Sequence, residues 1–136
     1  FPHNNTSLGV SPEGEVAWIP CRNLRRGKWD LFDGIDPNNL LQGQLGNCWL
    51  VAAMSCLAEF PDAVRSLFQA RDDARGSYTI RLFDHRQDRF EDVVVDEFVP
   101  CHAPRWWDGE ARPLFARPNG NEIWCLLLEK AMAKLW

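Results

Sequence analysis

The residues best equipped for chemistry lie in one run, Gln42-Gly43-Gln44-Leu45-Gly46-Asn47-Cys48-Trp49-Leu50. Asn47 is of the type that caps a helix, and the apolar residues after it read as a helix with Cys48 in its first turn. Free backbone N–H groups and aligned peptide dipoles at a helix start favour negative charge, which stabilises a thiolate. Gly43 and Gly46 let the loop turn tightly and let a substrate backbone come close. Gln42, six residues before the cysteine, brings a neutral amide donor suited to the oxyanion that forms on an acylated thiol. The competing reading is structural, because free cysteines are among the most buried residue types. Cys56, farther along the same helix, is read as structural.

A cysteine nucleophile in acyl transfer needs a base, usually histidine, and a group that orients it. The chain has three histidines, His3, His85 and His102. His3 lies close to the start and His85 falls in a loop between strand-like segments, where a solvated residue is the simpler account. His102, after Cys101 in a Pro-bounded loop, is the one internal candidate. The residues thus offer a nucleophile and an oxyanion donor without a convincing base.

The elements that must position Cys48 are legible in outline. Residues 1–30, rich in Pro, Asn, Gly and charge with Trp18 and Trp29 as isolated anchors, read as an irregular lead-in. Asp33 to Asn39 is a concentrated turn signal. The Cys48 helix runs to near Pro61, and Asp62 then caps a short helix with Val64, Leu67 and Phe68 on one face. Tyr78–Phe83 and Arg89–Phe98 form an antiparallel hairpin around the loop Asp84–Asp88, and Leu114–Ala116 supplies a short third strand. Asn119-Gly120-Asn121 turns and caps a last helix whose stripe is Trp124, Leu127, Leu128, Ala131 and Leu135. Helices, then strands, then a helix make an α+β domain.

Composition sets the outer limits. A chain of 136 residues, 46% hydrophobic and with seven tryptophans, is one domain with a dense core. A net charge of −4 argues against a nucleic-acid surface, and the cluster Arg22, Arg25, Arg26 and Lys28 reads as a solvated loop. Five cysteines without a Cys-x-x-Cys pair make neither a disulfide framework nor a zinc knuckle and point to a reducing, intracellular, cytoplasmic setting. No segment approaches a membrane span. Both ends look cut, so the chain is expected to be a piece of a longer protein.

Gln42-Gly-x-Leu-Gly-x-Cys-Trp-Leu-x-Ala-Ala53 resembles the active-site signature of calpains, the intracellular calcium-dependent cysteine proteases. Val93-Val94-Val95-Asp96 with Pro100 resembles that family's hairpin strand. Gly120-Asn121-Glu122-Ile123-Trp124, followed by Leu127-Leu128-Glu129-Lys130-Ala131-Met132-Ala133-Lys134, resembles its next helix. The blocks cover residues 30 to 136 in the family's order. The resemblance implies that residues 31–136 are the first subdomain of a papain-like catalytic core, with a central buried helix starting at Cys48. It implies Cys48 as nucleophile, Gln42 with the Cys48 backbone N–H as oxyanion hole, and Trp49 packed behind them. The base and its orienting Asn would belong to a second subdomain of the same chain, so the piece alone is expected to be inactive toward protein or peptide substrates. Calcium is the implied cofactor, with the carbonyls of Phe32 and Gly34, the side chain of Asn39 at an acidic position, and Glu122 as ligands.

Three residues depart from the family pattern. Asn39 replaces a carboxylate by a neutral amide, which should weaken a calcium site, with Asp33 or Asp36 available to compensate. Asn47 stands where calpains usually carry Asp and keeps the capping role. Pro37 stands where some members carry a basic residue facing the second subdomain. Two alternatives stay open: a papain-like protease, disfavoured by the lack of disulfide cysteines near the motif, and a non-catalytic calpain-like scaffold or regulatory module, disfavoured by the retention of Cys48 and Gln42.

Overall fold

A strand needs a partner, and among the described residues three small antiparallel sheets supply one for each strand. The computed structural model describes residues 15–24, 28–41, 48–103, 112–115, 117–118 and 120–136. In chain order the elements are β1 (Val16–Pro20), β2 (Leu40–Leu41), α1 (Cys48–Ala58), α2 (Pro61–Leu67), β3 (Phe68–Asp72), β4 (Ser77–Asp84), β5 (Arg89–Asp96), β6 (Phe98–His102), β7 (Arg112–Pro113), β8 (Arg117–Pro118) and α3 (Trp124–Leu135). The sheets are β1-β6-β7, β2-β8 and β3-β4-β5, every pairing antiparallel. Helices and antiparallel sheets together are the expected α+β class. Among the described residues no helix is long and apolar enough to cross a membrane.

The β4–β5 hairpin follows from alternation. Tyr78, Ile80 and Leu82 on β4 and Val93 and Val95 on β5 point to one buried face, while Arg81, Phe83, Phe90, Asp92 and Val94 stay outside. α3 lies against both strands and also against β8. Its run from Trp124 to Ala131 is buried all round, Glu129 and Lys130 included. Lys130 is tolerated there because Nζ donates to the Phe98 carbonyl at 2.6 Å, the Asp96 carbonyl at 3.4 Å and the Asp96 carboxylate. The ammonium also sits 5.7 Å from the centre of the Trp18 ring.

Several expectations are corrected. The reading of 1–30 as irregular fails at Val16–Pro20, which pairs with Phe98–His102 so that Trp18 faces Pro100; residues 1–14 and 25–27 lie outside the described residues. The run expected as one strand to Phe98 breaks at Glu97. Arg22 does not float in solvent but clamps that break, its Nε and Nη2 donating to the Glu97 carboxylate at 2.8 and 2.6 Å. Gly76 is required beside it, since at φ 61° a side chain is strained and a Cβ would meet Glu97 at 2.7 Å. α2 is capped by Phe60 with Pro61 at its first position, and Asp62 instead pairs with Arg65. Phe68 leaves that helix and opens β3, a strand the alternation did not announce. The third strand falls at Arg112–Pro113, just before the expected Leu114–Ala116, and α3 starts after Ile123 without a side-chain cap.

The cysteines divide by burial. Cys21, Cys101 and Cys125 are buried, whereas Cys48 and Cys56 are exposed, which corrects the expectation of a structural Cys56. Burial pushes the Cys101 thiol up to about 12 and raises the Cys21 and Cys125 thiols well above their ordinary range. Burial, and then the hydrogen bond to Asp73, raise the Tyr78 phenol as well.

Two predictions follow from this packing. These four groups bind their protons more tightly folded than unfolded, so stability is full below the unfolded thiol value of about 8.5 and drains away as the pH rises above it. Urea midpoints should therefore fall steadily from pH 8 to pH 10, and near neutral pH only two of the five thiols should react with an alkylating agent before unfolding. Lys130→Met should cost about 1–3 kcal/mol in urea melts, because it takes the donor away from the Asp96 carboxylate and the Phe98 carbonyl. Lys134→Met, which loses one exposed bond to the Val94 carbonyl, should cost less.

Candidate active site

Cys48 is the first residue of α1, as its sequence context requires, and its side chain is exposed. The helix has no acidic residue in its first turn to oppose a thiolate. Leu50, Met54 and Ala58, at spacings of four, form the buried stripe that seats α1 on α2, β2 and the turn at Pro37–Asn39. The central buried helix of the sequence reading is thus covered on one side only. Cys48, Trp49, Ala52, Ala53 and Cys56 are exposed. Trp49 is 57% exposed and does not pack behind the thiol as expected, because it lies on this open face. Gln42, the glycines Gly43 and Gly46, and Asn47, expected as the cap, lie outside the described residues.

No described histidine joins Cys48. His85 stays in the β4–β5 loop, edge-on to the Trp136 ring at 5.1 Å. His102 ends β6, opposite Val16 and Arg112, in a sheet to which α1 does not belong. Its Nε2 is buried without a hydrogen-bond partner among the described residues. The reading of His102 as lying in a Pro-bounded loop is corrected by its place in a paired strand.

The segment that leads toward Cys48 is fixed by residues far along the chain. Asp30 forms a parallel bridge with Glu122, its N–H donating to the Asn121 carbonyl at 3.0 Å and its own carbonyl accepting from the Ile123 N–H at 3.1 Å. The Asp36 carboxylate caps the short turn Pro37–Asn39 by accepting from the Asn38 N–H at 2.7 Å. β2 then pairs with β8, Leu40 facing Pro118 and Leu41 facing Arg117. The pairing of Asp30 with Asn121 escaped the sequence reading because backbone bonds across such a separation leave no local signal.

Three of the four residues expected to hold a metal are brought together. Asn39 Nδ2 donates to the Gly34 carbonyl at 3.2 Å and to Glu122 Oε1 at 3.1 Å, while the Asp33 N–H donates to Glu122 Oε2 at 2.8 Å. Phe32 is half-buried, its ring edge-on to Phe68 at 5.2 Å with the Arg65 guanidinium 6.0 Å from its centre. Calcium takes oxygen ligands, and a carbonyl, a carboxylate and an amide oxygen are the right chemistry. The fit holds only with the Asn39 amide turned, because a nitrogen now lies between the two oxygens. Among the described residues no group of three or more His, Cys, Asp and Glu gathers to strengthen the set. Asp36 has one carboxylate oxygen engaged as the cap of the turn.

Comparison with known proteins supplies the family. A family model described as "Calpain family cysteine protease" matches residues 1–136. The chain is 33% identical to Calpain-5 of Caenorhabditis elegans over all of its own length and 21% of that protein. It is 34% identical to the calpain-type cysteine protease DEK1 of Arabidopsis thaliana, over 99% of this chain and 7% of that one. It is 36% identical to Calpain-12 of Mus musculus, over 99% of this chain and 19% of that one. The chain therefore spans between 7% and 21% of the length of these relatives. With the whole chain matched and a cysteine opening α1 at the signature's position, this protein belongs to the calpain family of cysteine proteases.

Proposed function

We propose that this chain is the nucleophile-bearing wall of a calcium-dependent cysteine endopeptidase with a papain-like core. The observation that carries the reading is the exposed thiol of Cys48 at the first position of α1. The first turn of a helix leaves backbone N–H groups without intrahelical partners, and a nucleophile is commonly built at such a position. In this reading the Cys48 thiolate attacks the carbonyl carbon of a peptide bond, and the oxygen that becomes negative is held by the Gln42 side-chain amide and the Cys48 backbone N–H. The proton that the leaving amine needs comes from a histidine on a second subdomain, oriented there by an asparagine. The open face of α1 is consistent with a cleft wall whose opposite wall is that subdomain. Substrates are proteins and peptides in a reducing, intracellular setting, as the unpaired cysteines suggest.

Calcium belongs to the same proposal, with the carbonyls of Phe32 and Gly34, the Asn39 side chain and Glu122 as its ligands. When bound, the ion would supply positive charge against the Glu122 carboxylate. The one residue that favours a non-catalytic scaffold instead is Asn39, because a neutral ligand makes for a weaker calcium response.

Alkylation separates the enzyme from the scaffold. At neutral pH Cys48 should react with iodoacetamide at least about tenfold faster than Cys56, which shares its exposure but not its place at the helix start. Equal, slow rates at the two thiols would sink the nucleophile assignment. In peptide-hydrolysis assays the 136-residue chain alone should show no turnover, and a longer chain carrying the second subdomain should lose on the order of 10³-fold or more on Cys48→Ala. Turnover by the short chain that disappears in Cys48→Ala would overturn the two-wall reading.

A further inference from the structure

The carboxylate of Glu122 is 1% exposed, and the donors that reach it within the loop are neutral: the Asp33 N–H and the Asn39 amide. A buried carboxylate asks for more than that unless its donors are held rigidly in place. Rigidity is what the loop provides. Asn39 closes the turn that Asp36 caps, its own N–H donating to the Asp36 carbonyl at 3.0 Å, and β2 begins at the next residue. The Asn39 amide has two N–H groups and uses its nitrogen on two oxygens, Glu122 Oε1 and the Gly34 carbonyl. Turning the amide over would set its oxygen against two acceptors, so hydrogen-bond chemistry alone fixes the orientation.

We propose that the Asn39 amide is a latch that stands in for a cation. It bridges the loop carbonyl and the Glu122 carboxylate with neutral N–H donors, and so closes the 30–41 segment onto the start of α3 without metal. Calcium competes with this latch, because the ion needs an oxygen where the amide nitrogen lies. The consequence is a loop that is ordered before calcium arrives and gains little from it. An aspartate at position 39 would have the same shape and the opposite character, placing a second carboxylate against Glu122 and making closure depend on a cation. The latch itself stands on the two hydrogen bonds; only its competition with calcium rests on the proposed calcium site.

Thermal melts of the full chain test both parts separately. In chelator, Asn39→Asp should melt about 3–6 °C below the unsubstituted protein, and millimolar calcium, but not potassium chloride of equal ionic strength, should restore it. The unsubstituted protein should shift by less than about 1 °C with the same calcium. Asn39→Ala should melt low in chelator and stay low with calcium, since it has neither latch nor ligand. Asn39→Asp melting with the unsubstituted protein in chelator would overturn the latch. An equal rise with calcium in both proteins would overturn the competition between the latch and the ion. If both variants melt low and calcium moves none of the three, the latch stands and the calcium reading of this site falls.

Discussion

The segment ahead of α1 takes its place from one long-range join, the strap between residues 30–41 and residues 117–118 and 121–123. It consists of the Asp30–Glu122 bridge, the Glu122 carboxylate on the Asp33 N–H and the Asn39 amide, and the β2–β8 pair. Each bond is worth only about 0.5–1.5 kcal/mol net, but together they bring two segments to a common register before α1 begins. The carboxylate is the costly member, because it is buried and must be satisfied by neutral groups. A chain that lost those donors would leave the 30–41 segment without a fixed register on the start of α3.

α3 is the surface on which that strap is built. Its burial on all sides from Trp124 to Ala131 forces two charged residues into the interior. Lys130 makes this workable by binding the corner where β5 ends and β6 begins, so that one continuous β-rich run can serve two sheets. Arg22 closes the same corner from the other side through Glu97. The break at Glu97 is therefore an electrostatic joint with apolar strands on either side, and the two sheets are tied to α3 through it.

What the sequence made visible was what local physics decides. The start of α1 at Cys48 and the β4–β5 hairpin are written in a cap, an apolar run and an alternation. α3 was legible from its stripe, although the stripe understated a helix buried all round. β1 and β3 were missed because their strand state comes from partners: Val16–Pro20 needs Phe98–His102, and Phe68–Asp72 is mostly exposed and polar. Glu122, Asn39 and Gly34 were named together through the family resemblance, and the structure does juxtapose them. What no pattern could reveal is that the amide nitrogen, not its oxygen, is turned inward, since that depends on which acceptors surround it. The exposure of Trp49 and Cys56 was likewise invisible, because a helix apolar on every face reads as buried on every face.

That last mismatch bears on the mechanism. Cys48-Trp49-Leu50-Val51-Ala52-Ala53-Met54 has no polar side for water, yet only Leu50, Met54 and Ala58 are fully covered here. A solvent-facing helix normally shows charge on its outer stripe, and α1 shows alanine, tryptophan and cysteine instead. In the proposed reading that face meets the second wall, so covering it and completing the catalytic group are the same event. Cys48 then needs no device of its own to stay silent: its thiol is accessible, but the base arrives only with the surface that removes Trp49 and Ala52 from water. The proposed Asn39 latch bears on a different step, since it joins the 30–41 segment to the start of α3 whether or not that second surface is in place. Ordering of the strap and covering of α1 are thus separable contributions, the first supplied within this chain by an amide and the second, in the proposed reading, by docking.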